Sequence, residues 1–179
     1  ECFFGYYKNK IVGSIGDAAS FSFQSSKHMT SGEGGMVTTN CIETADKIRR
    51  IQSLGYAGVS ASKSKITKED IQDPNYERHL TMGWNYRMSE LCSAVALAQL
   101  ENLNKLVEKR IIAGKKFNEI AQNYNFLKVQ KIPKHCKHTY WTFAAKLDTP
   151  KINFYTFRKL FRKNGGDGIY SSWQLTYLE

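Results

Sequence analysis

Lys27 lies in Phe21-Ser22-Phe23-Gln24-Ser25-Ser26-Lys27-His28-Met29-Thr30-Ser31-Gly32-Glu33-Gly34-Gly35, between an aromatic strand and a glycine-rich turn. Ala19 to Phe23 reads as a short apolar strand, Gly32 to Gly35 permits a sharp reversal, and Met36-Val37-Thr38-Thr39 resumes β-branched strand character. A fold displays a residue at such a place. Desolvation there lowers a lysine pKa and frees the amine to attack a carbonyl and form a Schiff base. The same local pattern also fits a solvated loop lysine, and the motif alone does not choose between them. His28, next in sequence, is read as structural rather than as a general base, and Gly32 to Gly35 as serving backbone geometry.

A second block, Gly83-Trp84-Asn85-Tyr86-Arg87-Met88-Ser89-Glu90-Leu91, leads into a long helical pattern. Upstream of Lys27 stand Gly13-Ser14-Ile15-Gly16-Asp17 and Ser22-Phe23; downstream stands Gly32-Glu33-Gly34-Gly35. In this order and at this separation the blocks resemble those of the DegT/DnrJ/EryC1/StrS family. These are sugar aminotransferases that use pyridoxal 5′-phosphate (PLP) and share the type I fold of aspartate aminotransferase. The resemblance covers nearly all of this chain, but only about the middle of the family pattern.

The resemblance implies an α/β fold: the C-terminal part of the large PLP-binding α/β domain plus an incomplete small α/β domain. Residues 1–104 would be the partial large domain, with the lysine motif and a subunit-interface loop. Residues 105–179 would be a linking helix and the small domain. The family's aspartate that pairs with the pyridinium nitrogen, and the aromatic that stacks on the ring, are expected before Glu1. The far end is expected to stop short as well, at Gln174-Leu175-Thr176-Tyr177-Leu178-Glu179.

By the same resemblance Lys27 carries the cofactor as a Schiff base and shuttles the proton between substrate carbon and cofactor. That role needs a neutral amine, which burial and a nearby pyridinium supply. Ser22 matches the serine that hydrogen-bonds the phosphate, or is simply a strand-end hydroxyl. Asn85 matches the asparagine that reaches the phosphate of the neighbouring subunit's cofactor, which implies a homodimer with shared sites. Arg87 supports that phosphate or braces its loop. Glu1 falls where many members carry Gln or His beside the cofactor and some sugar 4-aminotransferases carry Glu. Trp84 and Tyr86 are read as packing residues.

The implied activity is PLP-dependent transfer of an amino group, with glutamate as donor, to a nucleotide-linked keto sugar in polysaccharide or secondary-metabolite synthesis. The family's dehydratase branch replaces the lysine with histidine, and Lys27 argues against it. A non-catalytic regulatory or structural relative, or an inactive fragment, is the alternative.

Composition bounds the rest. A chain of 179 residues buries roughly 70% of its unfolded surface, enough for a sizeable core without staples. Cys2, Cys41, Cys92 and Cys136 are far apart with no Cys-x-x-Cys pair, so zinc is not expected and free thiols in a reducing cytoplasm are. No apolar run approaches the ~20 residues that cross a bilayer. The formal charge of +10 is scattered. Lys63, Lys65 and Lys68, and Lys128, Lys131, Lys134 and Lys137, lack the aromatic interleaving of a nucleic-acid reader, so neither nucleic acid nor membrane is an expected partner.

Periodicity supplies the frame. Ile42 to Ser53 reads as an amphipathic helix with Ala45, Ile48, Ile51 and Leu54 inward and Arg49 and Arg50 outward. Gly55 to Tyr76 reads as an exposed excursion. Ser89 is an N-cap candidate for a helix from Glu90. Leu91, Val95, Ala98, Leu103, Leu106, Ile111, Phe117, Ile120 and Tyr124 form one stripe over ~50 Å, with a bend expected near Gly114. His138 to Leu147 reads as a strand. Lys151 to Lys163 reads as a helix burying Phe154, Phe157, Leu160 and Phe161 and ending at Asn164-Gly165-Gly166.

Overall fold

A computed structural model describes residues 1–63, 66–173 and 177. Its elements are β1 (Tyr6–Tyr7), β2 (Lys10–Ile11), β3 (Ala19–Ser22), β4 (Gly35–Thr38), α1 (Ile42–Gln52), α2 (Lys68–Gln72), α3 (Glu90–Glu101), α4 (Leu103–Gln122), β5 (Leu127–Val129), β6 (Cys136–Lys137), β7 (Ala145–Leu147) and α5 (Phe154–Lys163). Lys65 of the early basic group and residues 174–176, 178 and 179 of the final stretch lie outside the described residues. The chain forms two compact units, Glu1–Ile112 with Ile132–Trp141, and Ala113–Lys131 with Thr142–Glu179. This partition differs from a division after residue 104, because residues 105–112 and 132–141 stay with the first unit.

In the first unit, β3 and β4 pair antiparallel, with Ala19 opposite Thr38 and Ser22 opposite Gly35. Alternation of small and aromatic residues turns Phe21 and the following Phe23 toward the interior. Phe23 is buried with Met29, Ala96, Leu103, Val107 and Ile111, and Phe3, Phe4, Phe21, Met88 and Tyr140 pack around them. A second sheet runs β2–β1–β6, antiparallel throughout.

Helix α1 ends in a left-handed turn at Leu54 and Gly55, with φ of 62° and 75°. Glycine is required at 55, because a Cβ there would stand 1.8 Å from the Thr81 carbonyl oxygen. The helix leaves its last carbonyls without intrahelical partners. The Gly83–Arg87 segment supplies them: Trp84 N–H donates to Ile51 O at 2.7 Å and Tyr86 N–H to Gln52 O at 2.9 Å. In return Leu54 N–H donates to Trp84 O at 2.9 Å. Arg50, expected outward, is half-buried, with its Nε enclosed and unpartnered.

Ser89 caps α3 as its position predicts, its side chain accepting from Cys92 N–H. The bend falls at Asn102, not Gly114. Asn102 leaves helical geometry (φ −101°, ψ 1°) and its Nδ2 donates to Ala98 O at 3.1 Å, so an asparagine side chain replaces a backbone partner there. Gly114 sits inside an unbroken, closely packed stretch of α4. The expected stripe is only partly buried. Leu103 and Ile111 are core, whereas Leu91 is 83% exposed and Val95, Phe117 and Ile120 are also exposed. The Gly55–Tyr76 excursion carries α2, closed by a capping box between Thr67 and Asp70.

In the second unit β5 and β7 pair antiparallel, with Leu127 opposite Leu147. The strand expected over His138 to Leu147 is thus only Ala145–Leu147, and the neighbouring pairing at Cys136–Lys137 belongs to the first unit's sheet. Asn153 caps α5 by accepting from Thr156 N–H at 2.9 Å, so the helix starts at Phe154 rather than Lys151. Phe157 packs edge-on to Phe126 and stacks on Phe161. Phe154, Phe157 and Phe161 are half-buried, while Leu160, expected inside, is exposed.

Leu103 is 2% exposed at the start of α4. Truncation to alanine leaves a cavity beside Phe23, and Leu103→Ala is expected to cost about 2–5 kcal/mol. Urea unfolding checks this, and an unchanged midpoint would show that the core does not depend on that contact.

Candidate functional site

The segment between β3 and β4 leaves the hairpin at a neck made by Phe23. Phe23 N–H donates to Gly34 O at 2.9 Å, and Phe23 O accepts from both Ser31 N–H and Thr30 Oγ1 at 3.0 Å. Gly32 and Gly34 adopt φ of 84° and 140°, and a Cβ on Gly34 would stand 2.7 Å from Met88 Sδ. Glycine at 34 thus serves both backbone conformation and close approach. Within the loop Gln24 Oε1 accepts from Ser26 N–H and Ser26 Oγ, and Gln24 O accepts from Lys27 N–H at 3.0 Å.

Lys27 is held on three sides. Its side chain is 12% exposed. Its Nζ donates to Glu1 Oε1 and stands 4.1 Å from the centre of the Trp141 ring. Behind it, Trp141 Nε1–H donates to Ser26 O at 3.0 Å. Arg110 donates to Trp141 O at 2.6 Å and to Ser26 O at 3.2 Å. Lys27 is therefore not a solvated loop lysine.

His28 points the other way, into the core, 3% exposed. Its Nε2 lies 2.8 Å from Thr139 O. A carbonyl only accepts, so Nε2 carries the proton and the buried, unpartnered Nδ1 holds the lone pair. Burial is the main cause that lowers the His28 pKa; the Thr139 contact opposes it, and the positive charges of Arg110 and His138 add to the lowering. His28 is a structural tie between the lysine loop and residue 139.

Ser22, half-buried at the end of β3, accepts from Gln24 N–H at 3.3 Å, leaving its hydroxyl proton unused. Glu1 thus meets Lys27 on this loop, and Ser22 stands at the loop's start, at the end of β3. Asn85 and Arg87 are paired with each other, Arg87 Nε donating to Asn85 Oδ1 at 2.8 Å, and both are exposed. Among the described residues no hydrogen bond or ion pair joins either to Lys27. Trp84 and Tyr86, read as packing residues, stack on each other at 5.9 Å and are 52% and 68% exposed. Sequence reading missed Arg110 and placed Trp141 in an ordinary strand. They lie 83 and 115 residues from the loop atoms they hold, and no local pattern reports such a separation.

Among the described residues no cluster of His, Cys, Asp and Glu is arranged to hold a metal ion, the four thiols are free, and no helix is long and apolar enough to cross a membrane.

Solved structures with this fold define the class. An aminotransferase from Psychrobacter cryohalolentis superposes with a TM-score of 0.74 at 24% identity, over 90% of this chain and 43% of that one. An Escherichia coli GDP-4-keto-6-deoxy-D-mannose-3-dehydratase with bound hydrated PLP superposes with a TM-score of 0.77 at 18% identity, over 92% and 43%. The fold is that of the PLP-dependent aminotransferases. The chain belongs to the DegT/DnrJ/EryC1/StrS aminotransferase family, whose sequence model matches residues 2–170. An uncharacterized protein of Methanocaldococcus jannaschii is 31% identical over 92% of this chain, and a GDP-perosamine synthase of Escherichia coli is 34% identical over 79%. The chain spans 42% and 34% of the lengths of these relatives.

Because the folded protein binds a proton at His28 less readily than the unfolded chain does, stability is expected to fall as pH drops through the ordinary value of 6.5. His138, whose pKa is also lowered by burial, acts in the same direction. His28→Gln keeps a donor for Thr139 O but removes the titration. Urea unfolding at about pH 7.5 and about pH 5 should show a shallower loss in the variant than in wild type; equal losses would contradict the assignment.

Proposed function

We propose that this chain is part of a PLP-dependent aminotransferase that transfers an amino group, from glutamate, to the keto carbon of a nucleotide-linked sugar. The observation that carries the reading is the Lys27 amine, nearly enclosed on a pinned loop in a chain of this family. The GDP-perosamine synthases and a Campylobacter jejuni UDP-aminosugar transaminase among the relatives support the substrate class. The dehydratase reading is disfavoured by lysine, rather than histidine, at position 27.

The donor set suits PLP. Lys27 offers an amine to the cofactor's aldehyde, and the Ser22 hydroxyl retains a proton to donate to a phosphate oxygen while its lone pair holds Gln24 N–H. When bound, PLP supplies an electron sink for the bonds at the amino-bearing carbon. The protein's part is positioning and proton handling. Nζ of Lys27 would take up and return the proton moved in the reaction, and the Glu1 carboxylate that accepts from Nζ orients it. The small exposed fraction of the side chain keeps competing water away.

Asn85 and Arg87 complete the site from a second copy of the chain. Arg87 occupies the Asn85 Oδ1, which leaves the Nδ2–H groups to donate to a phosphate of the neighbouring subunit. The reading includes a homodimer with two shared sites, in the cytoplasm.

Adding PLP to the full-length protein, reducing with borohydride and mapping the modified peptide should place the label on Lys27. A folded protein without label would point instead to a non-catalytic relative. Lys27→Ala should lower turnover at least about a thousandfold with the fold intact, and retained turnover would sink the role. Asn85→Ala should weaken PLP retention about tenfold by removing a charge-assisted hydrogen bond; unchanged retention measured by dialysis would argue against the shared site.

A further inference from the structure

Five polar or aromatic contacts reach the three residues Ser26, Lys27 and His28 from Arg110 and the Thr139–Trp141 segment. Ser26 O accepts two side-chain donors, Trp141 Nε1–H and Arg110 Nη2. Arg110 Nη2 also approaches Lys27 O at 3.4 Å, while its Nη1 holds Trp141 O at 2.6 Å. His28 Nε2–H ties the loop to Thr139 O, and the indole face lies 4.1 Å from Lys27 Nζ.

This arrangement is built for placement. A loop carbonyl with a side-chain donor on each of its two lone pairs is fixed in direction as well as satisfied. The same indole that fixes the loop through its N–H offers its face to the amine, so backbone and side chain of the lysine are referenced to one rigid plane. Arg110 completes the brace by holding the tryptophan's own carbonyl, and its planar, forked guanidinium reaches three carbonyls at once, which a lysine ammonium does not do.

We infer that Trp141, locked by Arg110, is a positioning residue of the Lys27 amine beside Glu1: its ring face confines Nζ on the side that the carboxylate does not hold, directed along the surface of the indole. The inference rests on the proposed role of Lys27 for its purpose but not for its test, which needs neither cofactor nor turnover. Loss of the borohydride label would count against the function, whereas the measurement below reads the brace alone.

The test is competitive labelling of the chain with trace acetic anhydride at fixed pH, with Lys27 quantified against Lys146, whose side chain is 74% exposed. In the wild-type chain Lys27 should react at least about threefold more slowly than Lys146, as its enclosure demands. Trp141→Leu, which removes the face, should raise relative labelling of Lys27 about fivefold, the range of a cation–π contact. Trp141→Phe keeps a face and should restore it to within about twofold of wild type. Arg110→Met retains the ring but frees the carbonyls, and should raise labelling about threefold. Equal reactivity of Lys27 and Lys146 in the wild-type chain would overturn the inference without any variant. Labelling unchanged in folded Trp141→Leu or Arg110→Met, or raised as much by Trp141→Phe as by Trp141→Leu, would overturn it too.

Discussion

The loop that bears Lys27 begins and ends at one residue, and the rest of the site depends on that closure. Phe23 donates to Gly34 and accepts from Thr30 and Ser31, while its ring is buried with Met29 against Leu103 and Val107. A chain that must leave a hairpin and return exposes backbone groups to be satisfied, and here one carbonyl closes the neck while two apolar anchors hold the loop against the helices. The lysine lies between those anchors. Glu1 and the Trp141 ring then enclose its amine.

That constraint also explains the division of labour between adjacent residues. Lys27 and His28 point to opposite sides of the loop, one toward Glu1 and Trp141 and the other into the interior. Burying a neutral imidazole costs less than burying a charge, and one hydrogen bond to Thr139 meets most of the requirement. An amine expected to act chemically needs the more open side. The histidine stabilises the site by being inert.

How much of this was legible in the sequence follows from range. The β3–β4 hairpin, its glycines and the capping serine of α3 are encoded within a few residues of where they act, and they appear where spacing placed them. The bend was misplaced because glycine looked like the weak point, while Asn102 breaks the helix actively, with a side-chain bond that periodicity does not see. Trp84 and Tyr86 looked like packing residues by composition, yet they stack on each other in the open. Arg110 was invisible for a different reason. On a helix it reads as one more solvated basic residue in a strongly basic chain, and its partners arrive only when the chain is folded.

The end of α1 carries a consequence for how this chain is free to change. The Gly83–Arg87 segment is located by backbone N–H groups docking on the carbonyls of Ile51 and Gln52, not by the side chains of Trp84 or Tyr86. Its address is written in the main chain. The side chains of Trp84 and Tyr86 are thereby released from holding the segment in place, and substitution there changes what the surface presents without moving the scaffold. Only Gly83, whose Cβ would stand 2.3 Å from Gly55 N, is denied that freedom. Variation in the side chains of this strip is thus compatible with a fixed backbone.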